Sequence, residues 1–264
     1  MFNNKAITLT FCDRAENHAG MQMIGDISEK GFSYNDLLET KNVLEPLGYE
    51  CELTALHDYL DPMISVNLQK PVEEAYLLII RKGVNAFIDS ADDLFVEQNN
   101  LNPDKQYFDV RRSKVLNKHA RYNLCFSENY QNPDFLQGKG TIINYNSVPL
   151  TKELRENIMN YIPNTGYLYC EGNYYYDVTK TGIGYHFDAE RRKVIGCRLG
   201  ESIPLHFMWF HKHKPISEPI IFNLNHGDMY IMSEKTVGTD GKKSSKIGLR
   251  HAAGCKKYTD YKPK

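Results

Sequence analysis

The sequence predicts an α+β fold, with a closed barrel or jelly roll of short strands in its second half and a mixed α/β lobe in its first. Three observations carry this reading. Residues 194–199, 205–210, 220–224, 228–232 and 247–251 are short runs rich in Ile, Phe, Tyr, Met and Trp. Gly200, Pro204, Pro215, Pro219, Gly227 and Gly241 punctuate them, and no helical period competes. The part before residue 110 instead mixes helix and strand patterns. Short strands with frequent turns suit a barrel whose interior holds a small ligand.

In order, residues 6–11 alternate as a strand, and the polar run 15–20 reads as a loop cap built from Asn17 and His18. Residues 34–44, with Leu37, Leu38 and Leu44 on related faces, form a short amphipathic helix ended by Pro46 and Gly48. Residues 49–53 and 75–81 read as strands, the second apolar enough to be buried on both faces. A turn at Lys82-Gly83 leads into 84–88, and the acidic, Asn-rich stretch 89–107 is a loop or soft boundary. The most basic run follows, with Arg111, Arg112, Lys114, Lys118 and Arg121. As a helix it offers cations to a phosphate backbone; as a solvated stretch it needs no partner. Residues 150–162 form a helix whose Leu154, Ile158 and Ile162 make one apolar stripe, placed to buttress the barrel. The expected division is a lobe over 1–110 and a core over 111–264.

With 264 residues, 41% of them hydrophobic, the chain has enough material for one large domain or a core with a subdomain. No apolar run reaches the roughly 18 residues of a membrane helix, and residues 1–8 lack the apolar segment of a signal peptide. Six cysteines without a C-x-x-C pair indicate reduced thiols and no structural zinc. These features predict an intracellular protein, cytoplasmic or nuclear, with no membrane partner. A formal net charge of −1 counts against tight non-specific nucleic-acid binding. The balance is uneven, however: residues 151–264 hold 18 Lys/Arg against 12 Asp/Glu. Lys242, Lys243 and Lys246 lie in a Gly/Ser/Thr-rich loop that either lines a site mouth or is a solvated hairpin.

The chemistry concentrates in residues 173–188, which end in His186-Phe187-Asp188. In a strand, positions i and i+2 share a face, so an imidazole and a carboxylate stand side by side. A hydrogen-bonded pair at a strand end would use the same two residues, so a third ligand is needed to make a metal site. His251, at the end of Leu249-Arg250-His251, is the candidate. Two histidines and a carboxylate leave one face of an octahedral ion open, as in non-haem Fe(II) oxygenases. Zinc competes, but more often recruits Cys or a third His. His206, His211 and His213 suggest a second metal site only until Lys212 and Lys214, which repel a cation, are counted.

Asn173-x-Tyr175, Gly-Tyr185-His186-Phe-Asp188-Ala-Glu190-Arg191, Leu224-Asn-His-Gly-Asp-Met-Tyr-Ile-Met232 and Arg250-His251 occur in that order. Together they resemble the AlkB-like branch of the Fe(II)/2-oxoglutarate dioxygenases over roughly the last 100 residues. The resemblance implies a double-stranded β-helix core, Fe(II) held by His186, Asp188 and His251, O₂ as oxidant, and 2-oxoglutarate contacted by Asn173 and Tyr175. It also implies that Tyr185, Glu190 and Arg191 face the substrate, although Glu190 paired with Arg191 or Arg192 is the plainer account.

One departure stands out. Family members follow the distal histidine with an arginine-bearing strand that grips the far carboxylate of 2-oxoglutarate, whereas no arginine follows His251 here. A buried dicarboxylate still needs a cation. Arg198, Lys257 and Lys262 are the candidates, and Arg198 is favoured because an inward arginine on an apolar strand requires an anion. The expected function is oxidation of a DNA or RNA base by demethylation or hydroxylation. Hydroxylation of a protein side chain or small molecule, and a non-catalytic binding barrel, are the alternatives.

Overall fold

The structure, a computed structural model, describes residues 2–261. The chain begins with β1 (Ala6–Cys12), β2 (Arg14–Glu16), β3 (Met23–Gly25), α1 (Tyr34–Leu44), β4 (Cys51–Ala55), α2 (Pro62–Leu68), β5 (Tyr76–Ile80) and α3 (Ala91–Asn99). It continues through β6 (Gln106–Asp109), β7 (Lys114–Asn117), β8 (Tyr122–Ser127), β9 (Ile142–Asn144), α4 (Pro149–Tyr161), β10 (Tyr169–Tyr175), β11 (Gly182–His186) and β12 (Val194–Gly200). It closes with β13 (Ile203–His211), β14 (Lys214–Pro215), β15 (Ile220–Leu224), β16 (Met229–Met232), α5 (Glu234–Val237), β17 (Ile247–Gly254) and α6 (Lys256–Thr259). None of the described helices is long and apolar enough to cross a membrane.

Eight strands make one sheet in the order β4-β5-β16-β12-β1-β10-β8-β9, and only the β8–β9 pair is parallel. A smaller curled sheet runs β11-β17-β13-β14, with β15 also on β13. The alternation of β1 shows how the layers form. Ile7, Leu9 and Phe11 join Leu37 of α1, Leu94 of α3 and Leu154 of α4 in one core, while Thr8 and Thr10 face the other way, into a cavity. On that side Leu205, Phe207, Trp209 and Leu249 of the small sheet pack against Leu77, Ile79, Val194 and Met232 of the large one. Trp209, fully buried, satisfies its indole N–H on Leu56 O at 3.0 Å. The large sheet is therefore covered on both faces.

This arrangement corrects the expected division at residue 110. β1, β4 and β5 are strands of the same sheet as β10, β12 and β16, so residues 1–110 form no layer of their own. A strand with one apolar face and one polar face, both buried, has its place inside a sheet rather than in a separate lobe. The basic run 111–121 is likewise no helix. Its first part is the tip and second strand of the β6–β7 hairpin, with Tyr107 opposite Leu116 and Phe108 opposite Val115. Past His251 the chain completes β17 and turns into α6.

Helix ends follow local chemistry. Ser33 and Asp36 form a reciprocal capping box on α1. Val148 gives α4 no side-chain cap, and Glu97 of α3 instead accepts the N–H groups of Leu150 and Thr151.

Candidate metal centre

β11 and β17 pair antiparallel, and their register sets His186 opposite His251. A register shift between Ile183 and His186 re-aims the end of β11, and the Asp188 N–H bonds Val237 O just beyond it. His186 Nε2 lies 3.4 Å from Asp188 Oδ1, and His251 Nε2 lies 3.7 Å from Asp188 Oδ2. One donor atom from each of the three residues falls within 4.8 Å of the others. His186 Nδ1 sits 2.9 Å from Gly184 O, which assigns the proton to that nitrogen and leaves the Nε2 lone pair directed at the cluster.

Electrostatics keep these groups in ligand form. Burial first, then the neighbouring His186, pushes His251 down to about 3. Burial also lowers His186, against the pull of Asp188. For Asp188, burial pushes up, but nearby positive charge, that of Arg191 foremost, outweighs it and holds the carboxyl below its usual value. Two neutral imidazoles and one carboxylate converging in this way fit a divalent ion with an open side.

The centre opens onto a cavity of about 310 Å³. Its far wall is a polar row across the large sheet, in which Arg198 on β12 is opposite Thr8 on β1, Thr8 opposite Asn173 on β10, and Asn173 opposite Asn123 on β8. Asn173 Oδ1 accepts from Asn123 Nδ2 at 2.8 Å and from Arg121 Nε at 2.5 Å. Arg198, 1% exposed, donates from Nη1 to Thr8 Oγ1 at 2.6 Å and lies with its guanidinium carbon 5.8 Å from the Tyr175 ring centroid. Its Nε has no partner among the described residues.

The expected site residues divide clearly. Asn173, Tyr175, Glu190, Arg191 and Arg198 all line the cavity with the His-Asp-His group. Glu190 and Arg191 also pair with each other at 3.0 Å, and Arg191 is bound to Glu171 at 2.8 Å, so the buried arginine is committed to carboxylates. Tyr185 is a correction: its ring packs with His206, Phe210 and Tyr261 and is absent from the cavity wall. It precedes His186 in the strand and so points to the opposite face. Lys257 is a second correction, exposed on α6 because the chain there is helical. Lys262 lies outside the described residues. The 242–246 loop does not reach the cavity, and Lys246 bonds Glu73 at 2.6 Å. Among the described residues, His186, Asp188 and His251 form the one group of three or more His, Cys, Asp or Glu side chains whose ligand atoms lie within 4.8 Å of one another.

Several cavity residues escaped sequence reasoning: Thr8, Glu16, His18, Arg121, Glu171 and Tyr230. Tyr230 lies over Gly196, where an added Cβ would meet its Cζ at 2.0 Å. The threonines carried a readable signal, polar residues at alternate positions of an apolar strand. Arg121 carried none, since only the fold brings the end of a basic run to Asn173.

No protein-family model matches the chain. It is 44% identical over 254 residues to the uncharacterized protein R156 of Acanthamoeba polyphaga mimivirus, an alignment that spans 96% of this chain and 97% of that protein. At that identity over nearly the full length of both, the chain belongs to the same family as the mimivirus protein.

Proposed function

We propose that the protein is an Fe(II)- and 2-oxoglutarate-dependent oxygenase of the AlkB-like kind, with a double-stranded β-helix core. The observation that carries the reading is the pairing of two features in one cavity: a His186-Asp188-His251 group open on one side, and a buried Arg198 with no carboxylate within 4 Å among the described residues. A buried guanidinium without an anion is costly, and a carboxylate ligand relieves it. The departure from the family pattern then has a structural counterpart. β1 sits between β10 and β12 and completes the sheet that carries Arg198, so the anchoring cation comes from β12.

His186, Asp188 and His251 would hold the iron. When bound, iron with 2-oxoglutarate and O₂ supplies oxidation of a substrate C–H bond to C–OH, with release of succinate and carbon dioxide. The chain's own residues bind and orient. Arg198 and Thr8 would grip the far carboxylate, with Tyr175 and Tyr230 beside them, and the ring of Phe207, 6.1 Å from that of His251, belongs to the apolar core next to the histidine.

A nucleic-acid base as substrate is supported by the β6–β7 hairpin. It carries the exposed Arg111, Arg112 and Lys114, and Tyr107 on its first strand packs with its ring centroid 3.8 Å from that of His18, which lines the cavity together with Glu16 of β2. A strand held by its phosphates there would bring one base to the cavity. The deciding experiment supplies Fe(II), 2-oxoglutarate and O₂ with methylated single-stranded DNA and RNA, peptides and nucleosides, and measures succinate. Oligonucleotide-stimulated succinate supports the full reading. Stimulation by peptide or nucleoside alone moves the substrate class, and no succinate together with no anaerobic metal-to-cosubstrate absorption band overturns the oxygenase.

A further inference from the structure

The small sheet carries a second charged feature, on the reverse of the strands that hold the metal-binding group. Along β17, Ile247, Leu249 and His251 face the core and the cavity, so Gly248 and Arg250 face outward. Phe187, between His186 and Asp188, and Phe210 of β13 line the same outer depression as Arg250. The Arg250 guanidinium carbon lies 4.3 Å from the Phe210 ring centroid and 5.6 Å from that of Phe187, and Nη2 donates to His213 Nδ1 at 3.0 Å. Held over an aromatic ring and tied through one nitrogen, the guanidinium keeps its other N–H groups fixed in direction.

Two loops frame it. The β13–β14 turn consists of Lys212 and His213, both left-handed, with φ of 47° and 66°. Such a turn ordinarily takes Asn-Gly, so the two basic side chains stand there against backbone preference. The Lys212 N–H bonds Ser244 O at 3.1 Å and joins this turn to the loop of residues 241–246. That loop lies close on Phe187, since a Cβ at Gly241 would meet the ring Cγ at 2.1 Å. The depression is lined by Lys212, Lys243, Lys246 and Arg250 and by no carboxylate. Of these four, Lys246 alone is ion-paired among the described residues, most closely to Glu73 at 2.6 Å. Lys214 and Lys242, exposed on the same two segments, add to the charge. The fold thus gathers cations and supplies almost no anion for them.

We infer that this face is a docking surface for the phosphate backbone of a nucleic acid, with Arg250 receiving one phosphate and Lys212 and Lys243 its neighbours. The unpaired cations stand in separate loops about Arg250, so a ligand bearing one charge per repeating unit satisfies them together, as a lone anion does not. The depression holds only about 20 Å³, room for one or two water-sized groups such as phosphate oxygens. That suits a charge carried on the polymer backbone itself better than one at the end of an acidic side chain. Arg250 and Phe187 are turned away from the cavity that His186, Asp188 and His251 line, so a docked strand leaves the cavity open. The inference does not rest on the oxygenase reading.

Fluorescence anisotropy of a labelled single-stranded oligonucleotide, with neither metal nor 2-oxoglutarate present, tests it. Lys212→Gln/Lys243→Gln/Arg250→Gln is expected to bind about tenfold or more weakly in low salt, and to lower the slope of log Kd against log salt by about 2. Arg250→Lys, which keeps the charge and loses the fork, should weaken binding with the slope unchanged. Lys30→Gln, an exposed lysine elsewhere, should bind as wild type does. A wild-type thermal midpoint shows that a variant is folded, and Lys212→Gln/Lys243→Gln, both exposed, serves if the triple variant is not. Wild-type affinity and salt slope in the folded variant overturn the assignment. Equally tight binding of polyglutamate of matched charge makes the partner an acidic peptide and overturns it too. Because no turnover is read, absence of succinate in the oxygenase assay leaves this result standing.

Discussion

Arg191 Nη2 and Glu171 Oε2 lie 2.8 Å apart with each side chain only 6% exposed, beneath the metal-binding group. The same guanidinium also meets Glu190 and Asp188, so one cation balances three carboxylates. Removing it leaves buried charges uncompensated. Arg191→Met is expected to cost about 3–5 kcal/mol of stability in a denaturant titration, and the Arg191→Met/Glu171→Met double variant less than the single one. A double variant as unstable as the sum of the singles would show that the two residues do not act as a pair.

Metal binding gives a direct test of the triad. A ligand that binds only the folded state at 100 times its Kd stabilises by about 2.7 kcal/mol. Wild-type protein is expected to rise in Tm with added Mn(II) or anaerobic Fe(II). His186→Ala, Asp188→Ala and His251→Ala should abolish the rise and lower bound metal in elemental analysis. An undiminished rise in Asp188→Ala would remove the carboxylate from the ligand set.

Two neighbours on the cavity wall give opposite pH slopes. Burial, then the charges of Lys118 and Arg121, pushes His18 down from 6.5 to about 3, so between those values the unfolded chain holds the extra proton and stability rises with pH. Burial foremost pushes Glu16 up from 4.5 to about 7, so over that window the folded protein holds the extra proton and stability falls with pH. The two contributions oppose each other between pH 4.5 and 6.5. In metal-free protein, His18→Gln should make stability fall more steeply with pH there than in wild type, and Glu16→Gln should make it rise more steeply. Denaturant midpoints at several pH values read both.

Gly196 is the point where packing and the site meet. A side chain there meets the Tyr230 ring, so Gly196→Ala must displace the tyrosine from the cavity wall. The expected cost is about 1–3 kcal/mol, together with weaker 2-oxoglutarate binding. Wild-type values for both would mean that the ring yields freely.

How far the molecule could be read from its sequence depended on range. Helix α1 and strand β15 fall where local pattern put them, at residues 34–44 and 220–224, because capping residues and side-chain period are local properties. His186 and Asp188 were legible for the same reason, and His251 followed as the histidine at the end of an apolar strand. The place of β1 was not legible, since pairing with β10 and β12 joins segments more than half the chain apart. The basic run misled because its spacing suits either a helix or a strand. Tertiary pairing makes its first part a hairpin, buries Lys118 and delivers Arg121 to Asn173.

The position of β1 also bears on how the chain acquires its structure. During synthesis β1 emerges long before β10 and β12, so its backbone donors and acceptors on both edges wait unpaired until most of the chain exists. Closing so long a loop makes this a late and slow event, and until then an apolar strand is available to neighbouring chains. Refolding yield should therefore fall with protein concentration, and a chaperone that shields residues 6–12 should restore it.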